Sequence, residues 1–563
     1  MKYTGNKNGI DRRMRSFLFP VFYCLFFLPF LASAQGNVKP KPQTTPQNTP
    51  QSSVKVGGKK IEILNAGVLK SAVDIADGAK RLIGDVRFKH EDVLMFCDSA
   101  YFYSNNSLDA FGHVHIQQND SIHLYGDFLT YSGNTKKAVL TKNVVANKTD
   151  MQLTTEVLNY DVATSIGYYT VPGKIVSKEN VLTSEQGYFF GKSNDLTFKK
   201  NVVLTNPDFV INCDTMRYNT SSKITYFTGP TTIKGKENLI YCEDGWYDTD
   251  KDLSRFSKNA YILTQEQKMW GDSLYYDRVK GIGRAVHNVQ IVDTAQKLNI
   301  AGDLALHYEF KDLSVITGHA LLTQMFDNDT LYMHADTLKA LGESTKEQID
   351  PAQRTQVTKT KNGESKTTIR DSTKTGDEQR LFAYHKVKFY KRDMQGKCDS
   401  LMYTTVDSTM RMYGNPTLWS SENQLTADSI SVVTGKKSLL FMELKGTGFI
   451  VSSEDSTRYN QIRGKYMKGF FNDNKLFRVN VEGNGQTIYF AKEKEEIKAV
   501  NRADCSDLHI FLKENEIDRI VFITKPDATL YPLDKIDTKE LRLKDFKWRI
   551  NERPLTFKDI FNW

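Results

Sequence analysis

The sequence predicts an all-β repeat protein, in which short strands joined by corners stack on their neighbours. From Ile61 onward, short apolar–polar alternations are interrupted by Gly, Asn and Asp, a pattern typical of strands and turns. The same residue types then recur at a constant spacing of 29 residues, which indicates a stacked repeat architecture.

Four columns of residues define the repeat, and each position is numbered from an acidic residue. The acids are Asp98, Asp127, Glu156, Glu185, Asp214, Glu243 and Asp272. The +4 column is aromatic throughout: Phe102, Tyr131, Tyr160, Phe189, Tyr218, Tyr247 and Tyr276. The −3 column is apolar: Met95, Leu124, Leu153, Leu182, Ile211, Ile240 and Met269. The +13 column is Phe111, Leu140, Tyr169, Phe198, Phe227, Phe256 and Ala285. Chance does not hold four columns in register over so many repeats.

The parity of these columns predicts a bent strand. The +2 column shares a strand face with the +4 column and is small or apolar: Ala100, Leu129, Leu158, Gly187, Met216, Gly245 and Leu274. The −3 column has the opposite parity, so the chain must kink near position −1, which is often Gly or Cys. A second turn is expected near +16, at Asn143, Asn201, Pro230, Asn259 and Asn288.

The first residues indicate export. A basic head is followed by an apolar run over 17–31 and by Ala32-Ser-Ala34, the pattern of a cleaved secretory signal. An uncleaved inner-membrane anchor is the alternative, but the run has about 15 residues and a helical span needs roughly 20. We therefore expect an exported protein.

Composition divides the rest of the chain. We expect a signal peptide over 1–34, a disordered Pro/Gln/Thr-rich leader over 35–60, repeats over 61–342, a disordered polar insert over 343–380, a second repeat block over 381–531 and a tail over 532–563. The formal net charge of +9 comes without a compact Lys/Arg cluster, so no nucleic-acid partner is expected.

The acidic column could suggest catalysis or calcium binding. The acids are spread one per repeat, however, as expected of corner residues that accept backbone N–H bonds. No nucleophile, zinc-protease or phosphate-loop motif occurs. His113, His115 and His123 lie on turns and alternating strands, which favours structural roles over a metal site. We expect no enzyme activity, catalytic residue, metal or cofactor.

The apolar columns either fill a closed core or line an open trough, and the sequence leaves both open. A trough would accept acyl chains, since each buried methylene is worth about 0.8 kcal/mol. The inward-facing residues expected to bind lipid are Phe102, Leu129, Tyr131, Leu158, Tyr160, Phe189, Met216, Tyr218, Tyr247, Leu274 and Tyr276.

Units such as Cys97-Asp-Ser-Ala-Tyr-Phe102, followed by Phe111-Gly-His-Val-His-Ile116, resemble those of the OstA-like family. That family contains the periplasmic bridge LptA and the N-terminal part of the translocon LptD. The likeness covers about 61–341 and, less closely, 381–531. It implies an elongated, open β-jellyroll that shields lipid A of lipopolysaccharide, stacks end to end with other Lpt jellyrolls and delivers its cargo to the outer-membrane translocon. It also implies a periplasmic location, with an association with the outer membrane as a further expectation, and it implies no catalysis and no cofactor.

Two alternatives come from other classes: an extracellular β-solenoid that binds or cleaves polysaccharide, and a surface adhesin. Cys213 and Cys242 distinguish the folds, because they occupy one repeat position a period apart. In parallel coils they would stack about 4.8 Å apart and could form a disulfide. In the antiparallel jellyroll implied by the resemblance they lie roughly 9–10 Å apart, and two free thiols are expected.

Overall fold

A computed structural model describes residues 60–563 apart from 72–77, 119–121, 149–150, 237, 265–266, 295–296, 327–328, 344–377, 436–438, 473–474, 494–495, 514–515 and 537–540. The predicted signal peptide, nearly all of the leader and most of the polar insert lie outside these residues. Within the described part of the chain there is no α-helix, and β-strands make up nearly all regular structure. The predicted all-β class is confirmed.

The chain divides into two compact units. Among the described residues, the N-terminal unit comprises 60–264 and 273–279, and the C-terminal unit comprises 267–272 and 280–563, each with the gaps given above. This division falls at a different place from the polar insert, where the sequence analysis separates two repeat blocks.

The N-terminal unit is built from antiparallel strands. They are β1 (Glu62–Asn65), β2 (Val68–Ser71), β3 (Lys80–His90), β4 (Val93–Phe102), β5 (Leu108–Gln118), β6 (Ile122–Ser132), β7 (Lys137–Lys148), β8 (Met151–Asp161), β9 (Ile166–Tyr169), β10 (Gly173–Ser177), β11 (Asn180–Ser184), β12 (Gln186–Phe190), β13 (Asp195–Thr205), β14 (Val210–Asn219), β15 (Ile224–Lys234), β16 (Asn238–Asp248), β17 (Leu253–Ser257), β18 (Tyr261–Thr264) and β20 (Ser273–Asp277).

The C-terminal unit continues the same pattern. Its strands are β19 (Gln267–Trp270), β21 (Ile282–Asp293), β22 (Leu298–Tyr308), β23 (Leu313–Met325), β24 (Thr330–Glu343), β25 (Glu378–Lys391), β26 (Met394–Thr404), β27 (Thr409–Tyr413), β28 (Thr417–Ser420), β29 (Asn423–Thr426), β30 (Ser429–Thr434), β31 (Leu439–Ser453), β32 (Tyr459–Asn472), β33 (Lys475–Glu493), β34 (Glu496–Lys513), β35 (Glu516–Phe522) and β36 (Asp527–Pro532). Short 3-10 helices are Glu309–Lys311, Leu533–Lys535, Ile550–Glu552 and Phe557–Phe561.

Each 29-residue repeat is a pair of antiparallel strands, and each strand bends in its middle. In the β6–β7 pair, for example, Tyr125 lies opposite Val145 and Phe128 opposite Thr141, so the register shifts between the two contacts. The bend divides the long strands into arm A, which carries the +2 and +4 columns, and arm B, which carries the −3 column. In β9–β12, β17–β20 and β27–β30 the two arms are separate short strands. The predicted kink between these columns is confirmed.

Neighbouring strands align the columns into continuous rows. In arm A, the +13 residue Phe198 pairs with the +2 residue Met216, which in turn pairs with Phe227. In arm B, Leu204 pairs with Ile211 and Ile211 with Ile233. Apolar residues that alternate along each strand therefore form one continuous apolar face. On such a face, β-branched and aromatic side chains pack against their cross-strand neighbours and stabilise the sheet.

The corners between the arms are held by side chains. Asn143 and Asn201 adopt left-handed φ angles of 51° and 50° there, a conformation that Asn tolerates better than most residues. Asn143 Nδ2 donates to Asp127 at 2.8 Å, and Asn201 Nδ2 donates to Glu185 at 2.6 Å. The acids are corner residues as expected, but the expectation of backbone donors was wrong, because these carboxylates accept from a side chain one strand away.

The cysteines at position −1 are free thiols. Cys213 and Cys242 both pair with Thr231 of the intervening strand, so they lie two strands apart in an antiparallel sheet. Both are buried and unbonded, and burial raises the pKa of each thiol to about 12. The expectation of two free thiols is confirmed, and parallel coils are excluded here.

The polar insert connects two paired strands. β24 and β25 are antiparallel neighbours whose pairing runs from Tyr332–Tyr390 to Glu343–Glu378. The repeat pattern therefore continues directly across the insert, within the C-terminal unit.

We predict that Asn201→Ala destabilises the corner locally by about 1 kcal/mol, since it removes a charge-assisted hydrogen bond and a residue suited to positive φ. Amide hydrogen exchange of β13 and β14 is the measurement, because a chain with two units need not unfold in a single step. Asn201→Gly, which keeps the backbone conformation, should cost less. Equal losses for both variants would contradict this role.

We predict that replacing residues 344–377 by Asn-Gly leaves the thermal unfolding of the protein unchanged. Strand pairing already reaches Glu343 and Glu378, and a two-residue turn can close such a hairpin. Calorimetry of the shortened and full-length proteins makes the comparison. A lower Tm would show that the insert contributes to the fold.

Candidate functional site

The two arms face each other across an apolar interior. In strands β3–β8, the arm B residue Met95 and the arm A residues Ala100 and Leu129 belong to one buried cluster. Phe88 of arm B and Phe102 of arm A approach to 6.0 Å between ring centroids. The bend therefore turns both sets of apolar columns toward the same space.

This interior is closely filled between β8 and β15. A cavity of about 30 Å³ remains there, lined by arm B residues such as Ile175 and Leu204 and arm A residues such as Met216 and Phe227. Pockets that bury small ligands usually measure about 300–1,000 Å³. In this section the structure corresponds to a filled core rather than an open trough.

The predicted lipid-binding residues divide into two groups by exposure. Those that are fully buried in the interior are Leu129, Met216, Tyr218, Tyr247, Leu274 and Tyr276. Phe102, Tyr131, Leu158 and Phe189 are half-buried. Tyr160 is 41% exposed and is the most exposed residue of the set. Its neighbours across the strands are Ala138 and Gly167, whose small side chains give the ring nothing to pack beneath.

The half-buried residues mark a more open section of the groove. Along β5–β8, the −3 row is also half-buried at Ile116, Leu124 and Ala146. From β13 to β17, by contrast, the inner rows of both arms are buried. The apolar face is therefore accessible near the start of the N-terminal unit and closed farther along it.

A row of polar residues closes the filled section, and the sequence analysis did not find it. Ser177, Asn180, Asn206 and Asn238 occupy the inner rim of arm B and are all buried. Asn206 Nδ2 donates to Asn180 Oδ1 at 2.9 Å. Ser177 and Asn180 line the same cavity as Tyr218 of arm A. The available signal was at positions −5 and +21 of the repeat. There, Asn180, Asn238, Ser177 and Asn206 replace residues such as Ile122, Met151 and Lys148 of the open section.

Buried tyrosines of the +4 column keep their hydroxyl groups near the rim. Tyr247 donates to Asp252 at 2.6 Å. Burial raises the pKa of Tyr218. The +4 column thus places its rings in the interior and its hydroxyls at the polar edge, an arrangement common for amphipathic aromatic side chains.

The three histidines of the first repeats do not converge. His113 Nδ1 lies 2.7 Å from Asp98 at a corner, and this carboxylate raises the pKa of His113. His115 and His123 hydrogen-bond to each other at 3.1 Å on the outer face of arm B. In the described part of the chain, no group of three or more His, Cys, Asp or Glu could hold a metal ion.

None of the described helices combines the length and apolar character needed to cross a membrane.

Bent antiparallel strands around an apolar interior define a β-jellyroll protein. Residues 58–214 match the OstA-like protein family, and residues 294–438 match the family described as LptA/LptD N-terminal domain LPS transport protein. The predicted resemblance to the OstA-like/LptA family is therefore confirmed over these two segments.

The structure of LptH, the LptA-homologous periplasmic component of the lipopolysaccharide transport device of Pseudomonas aeruginosa, is similar at 14% identity. The match covers 19% of this chain and 81% of LptH, with a TM-score of 0.18. No curated protein matches the chain.

We predict that Met216→Ala costs about 2–5 kcal/mol of stability, as expected for truncation in a filled core. Asn212→Ala, at an exposed outer position of the same strand, should stay within about 0.5 kcal/mol of the parent. Hydrogen exchange of β14 and β15 under native conditions measures both. Similar values for the two variants would mean that the interior is not packed at Met216.

Proposed function

We propose that this protein binds lipopolysaccharide in the periplasm and carries it toward the outer membrane, with the acyl chains of lipid A shielded by the inner face of the N-terminal unit. The family matches support transport in general. The observation that carries the finer proposal is the accessible apolar section over β5–β8, where aromatic and aliphatic inner residues remain partly exposed although they line a hydrophobic interior.

The acyl chains would contact Tyr131, Leu158 and Tyr160 of arm A and Leu124 of arm B. These side chains lie on β6 and β8, which are separated by β7. Neighbouring strands are about 4.8 Å apart. Each methylene that leaves water there contributes about 0.8 kcal/mol. A few buried methylenes per chain therefore suffice for binding, while a partly open groove still allows release.

Farther along the unit, passage of an acyl chain requires the arms to part. The rim of that section is polar, with the Asn180–Asn206 pair on arm B. Amides that separate from each other can hydrogen-bond to water, so an opened polar rim costs less than an opened apolar one. We propose that this rim is where the filled section opens for lipid.

Partner jellyrolls would dock at the outermost strands. β1 and β2 each pair with β3 along one edge, and Leu64, Val68 and Leu69 are about half exposed on them. An edge strand that presents unpaired backbone groups and apolar side chains favours addition of a further strand. End-to-end contact with other Lpt-type jellyrolls and with the outer-membrane translocon is therefore part of the proposal.

The function needs no catalysis, and we propose none. The alternative function, binding of polysaccharide, would need outer aromatic rings with open faces, and the outer rings named next do not provide them. Tyr168 and Tyr188 stack on each other at 5.9 Å with ring planes 16° apart, and Arg217 covers Tyr226 at 4.3 Å. Rings whose faces are already covered do not offer the flat surface on which a sugar could stack.

We predict that a photo-crosslinking amino acid at Tyr160 or Phe189 captures lipopolysaccharide in cells, because both positions border the accessible section. The same probe at Arg217, an exposed position on the outer face, should capture none. Immunoblotting with an antibody against lipopolysaccharide provides the readout.

Tyr218 supplies the second comparison, since it lies in the closed section. Capture at Tyr218 that is weaker than at Tyr160 would support opening as a separate step. Equal capture at Tyr160 and Arg217, or capture at neither, would contradict the proposed lipid site.

A further inference from the structure

The last described segment of the chain, residues 541–563, lies across the C-terminal unit as a strap. It contacts side chains of β32, β29, β28, β26 and β24. These side chains lie on the face opposite the row Met333, Phe389, Leu418 and Leu425. That row continues the −3 column, so the strap lies on the outer face of arm B. The sequence analysis treated this tail as a segment without a repeat and assigned it no contacts.

Two glutamines of the sheet bind the strap backbone. Gln461 Nε2 donates to the Leu541 carbonyl at 2.9 Å, and its Oε1 accepts from the Leu543 N–H at 2.9 Å. Gln424 repeats this arrangement, with its Nε2 2.7 Å from the Lys547 carbonyl and its Oε1 2.7 Å from the Arg549 N–H. Both glutamines are almost completely buried. Each side-chain amide thus pairs with alternate backbone groups of an extended peptide, as a neighbouring strand would.

Charged groups fix the middle of the strap. Glu552 accepts from Lys397 of β26 at 2.6 Å and from both sides of the Arg549 guanidinium. These hydrogen bonds and charges, Arg549 first, lower the pKa of Glu552 to about 2. Arg549 also donates to Thr417 at 2.6 Å, and Arg553 donates to Gln395 at 2.7 Å.

Apolar side chains anchor the two ends. At the first end, Leu543 belongs to a buried cluster with Val451 and Phe490, and Phe546 contacts Tyr459 at 5.4 Å between ring centroids. At the other end, Ile560 is buried, and Phe557 lies 5.1 Å from Tyr332 of β24. The strap therefore contacts strands on both sides of the polar insert.

The sheet beneath is complete without the strap. Strands β25 and β26 pair along their length, as do β31 and β32. The strap adds no ladder of its own to them, and much of it stays in contact with solvent: Leu555 is 70% exposed. The strap is held by separate side-chain contacts and not by continuous backbone pairing with a strand. It can therefore leave while the strands beneath it remain paired.

We propose that residues 541–563 form a releasable strap and that the outer face of arm B in the C-terminal unit is their docking surface. While docked, the strap covers buried polar residues of this face, including Gln424 and Gln461, and contacts both β24 and strands that follow the insert. When the strap is released, this surface is exposed to solvent and arm B no longer has a covering segment on its outer face.

The test uses the full-length protein with a specific protease site placed within residues 537–540. After cleavage, the strap fragment should exchange with an added labelled peptide of residues 541–563, followed by native mass spectrometry. Gln424→Ala with Gln461→Ala should speed exchange at least tenfold, because four backbone hydrogen bonds are lost. Gln152→Ala, which alters an exposed glutamine on the outer face of arm B in the N-terminal unit, should leave the rate unchanged.

Hydrogen exchange on the uncut protein provides an independent measurement. Amides of Leu543 and Arg549 should exchange at least tenfold faster in the double variant, while those of β25 and β26 keep their protection. A fragment that is released only as fast as the strands beneath it unfold would overturn the proposal. So would a double variant in which strap and strands lose protection together.

Discussion

The bend in the middle of each strand is the constraint on which the rest of the structure depends. Side chains alternate between the faces of a strand, so the −3 and +2 columns of a straight strand would point to opposite sides. The register shift at the corner reverses this parity for one arm, as between Cys213 and Thr215. Both apolar columns then face one interior. Without the extra residue at each corner, one of the two apolar faces would be exposed to water along the entire unit.

The corner also explains why the acid column is so regular without being catalytic. A left-handed backbone at Asn201 or His319 presents a side-chain donor toward the acid of the preceding strand, at 2.6 Å in Glu185 and 2.9 Å in Asp303. Asn, His and Gly are the residues that accept such φ angles at low cost. In each pair of strands, the corner of one strand carries the acid and the corner of the next carries the donor, which gives one acid per repeat.

Much of this could be predicted from sequence because a repeat displays the same constraint many times. The period, the kink and the alternation of Met216 and Tyr218 on one face all follow from positions that recur every 29 residues. The degree of opening could not be predicted, since Tyr160 and Tyr218 occupy the same column. Their difference arises from the cross-strand neighbours: Tyr160 lies between Ala138 and Gly167, whereas Tyr218 lies between Leu196 and Thr225.

The strap was beyond sequence reasoning for a related reason. Its contacts join residues far apart in sequence, such as Gln461 with Leu541 and Gln424 with Arg549, and they do not follow the 29-residue period. On the outer face, glutamine is ordinary in a strand and gives no sign of a buried role. A glutamine that is fully buried only because another segment covers it can be identified from the fold alone. The two faces of arm B are thus specified differently: the inner face by a repeated apolar pattern, and the outer face of the C-terminal unit by single polar contacts. Polar groups on the outer face can hydrogen-bond to water when a peptide leaves, whereas apolar groups of the interior cannot. Of the two faces, the outer one is therefore better suited to reversible attachment of a peptide.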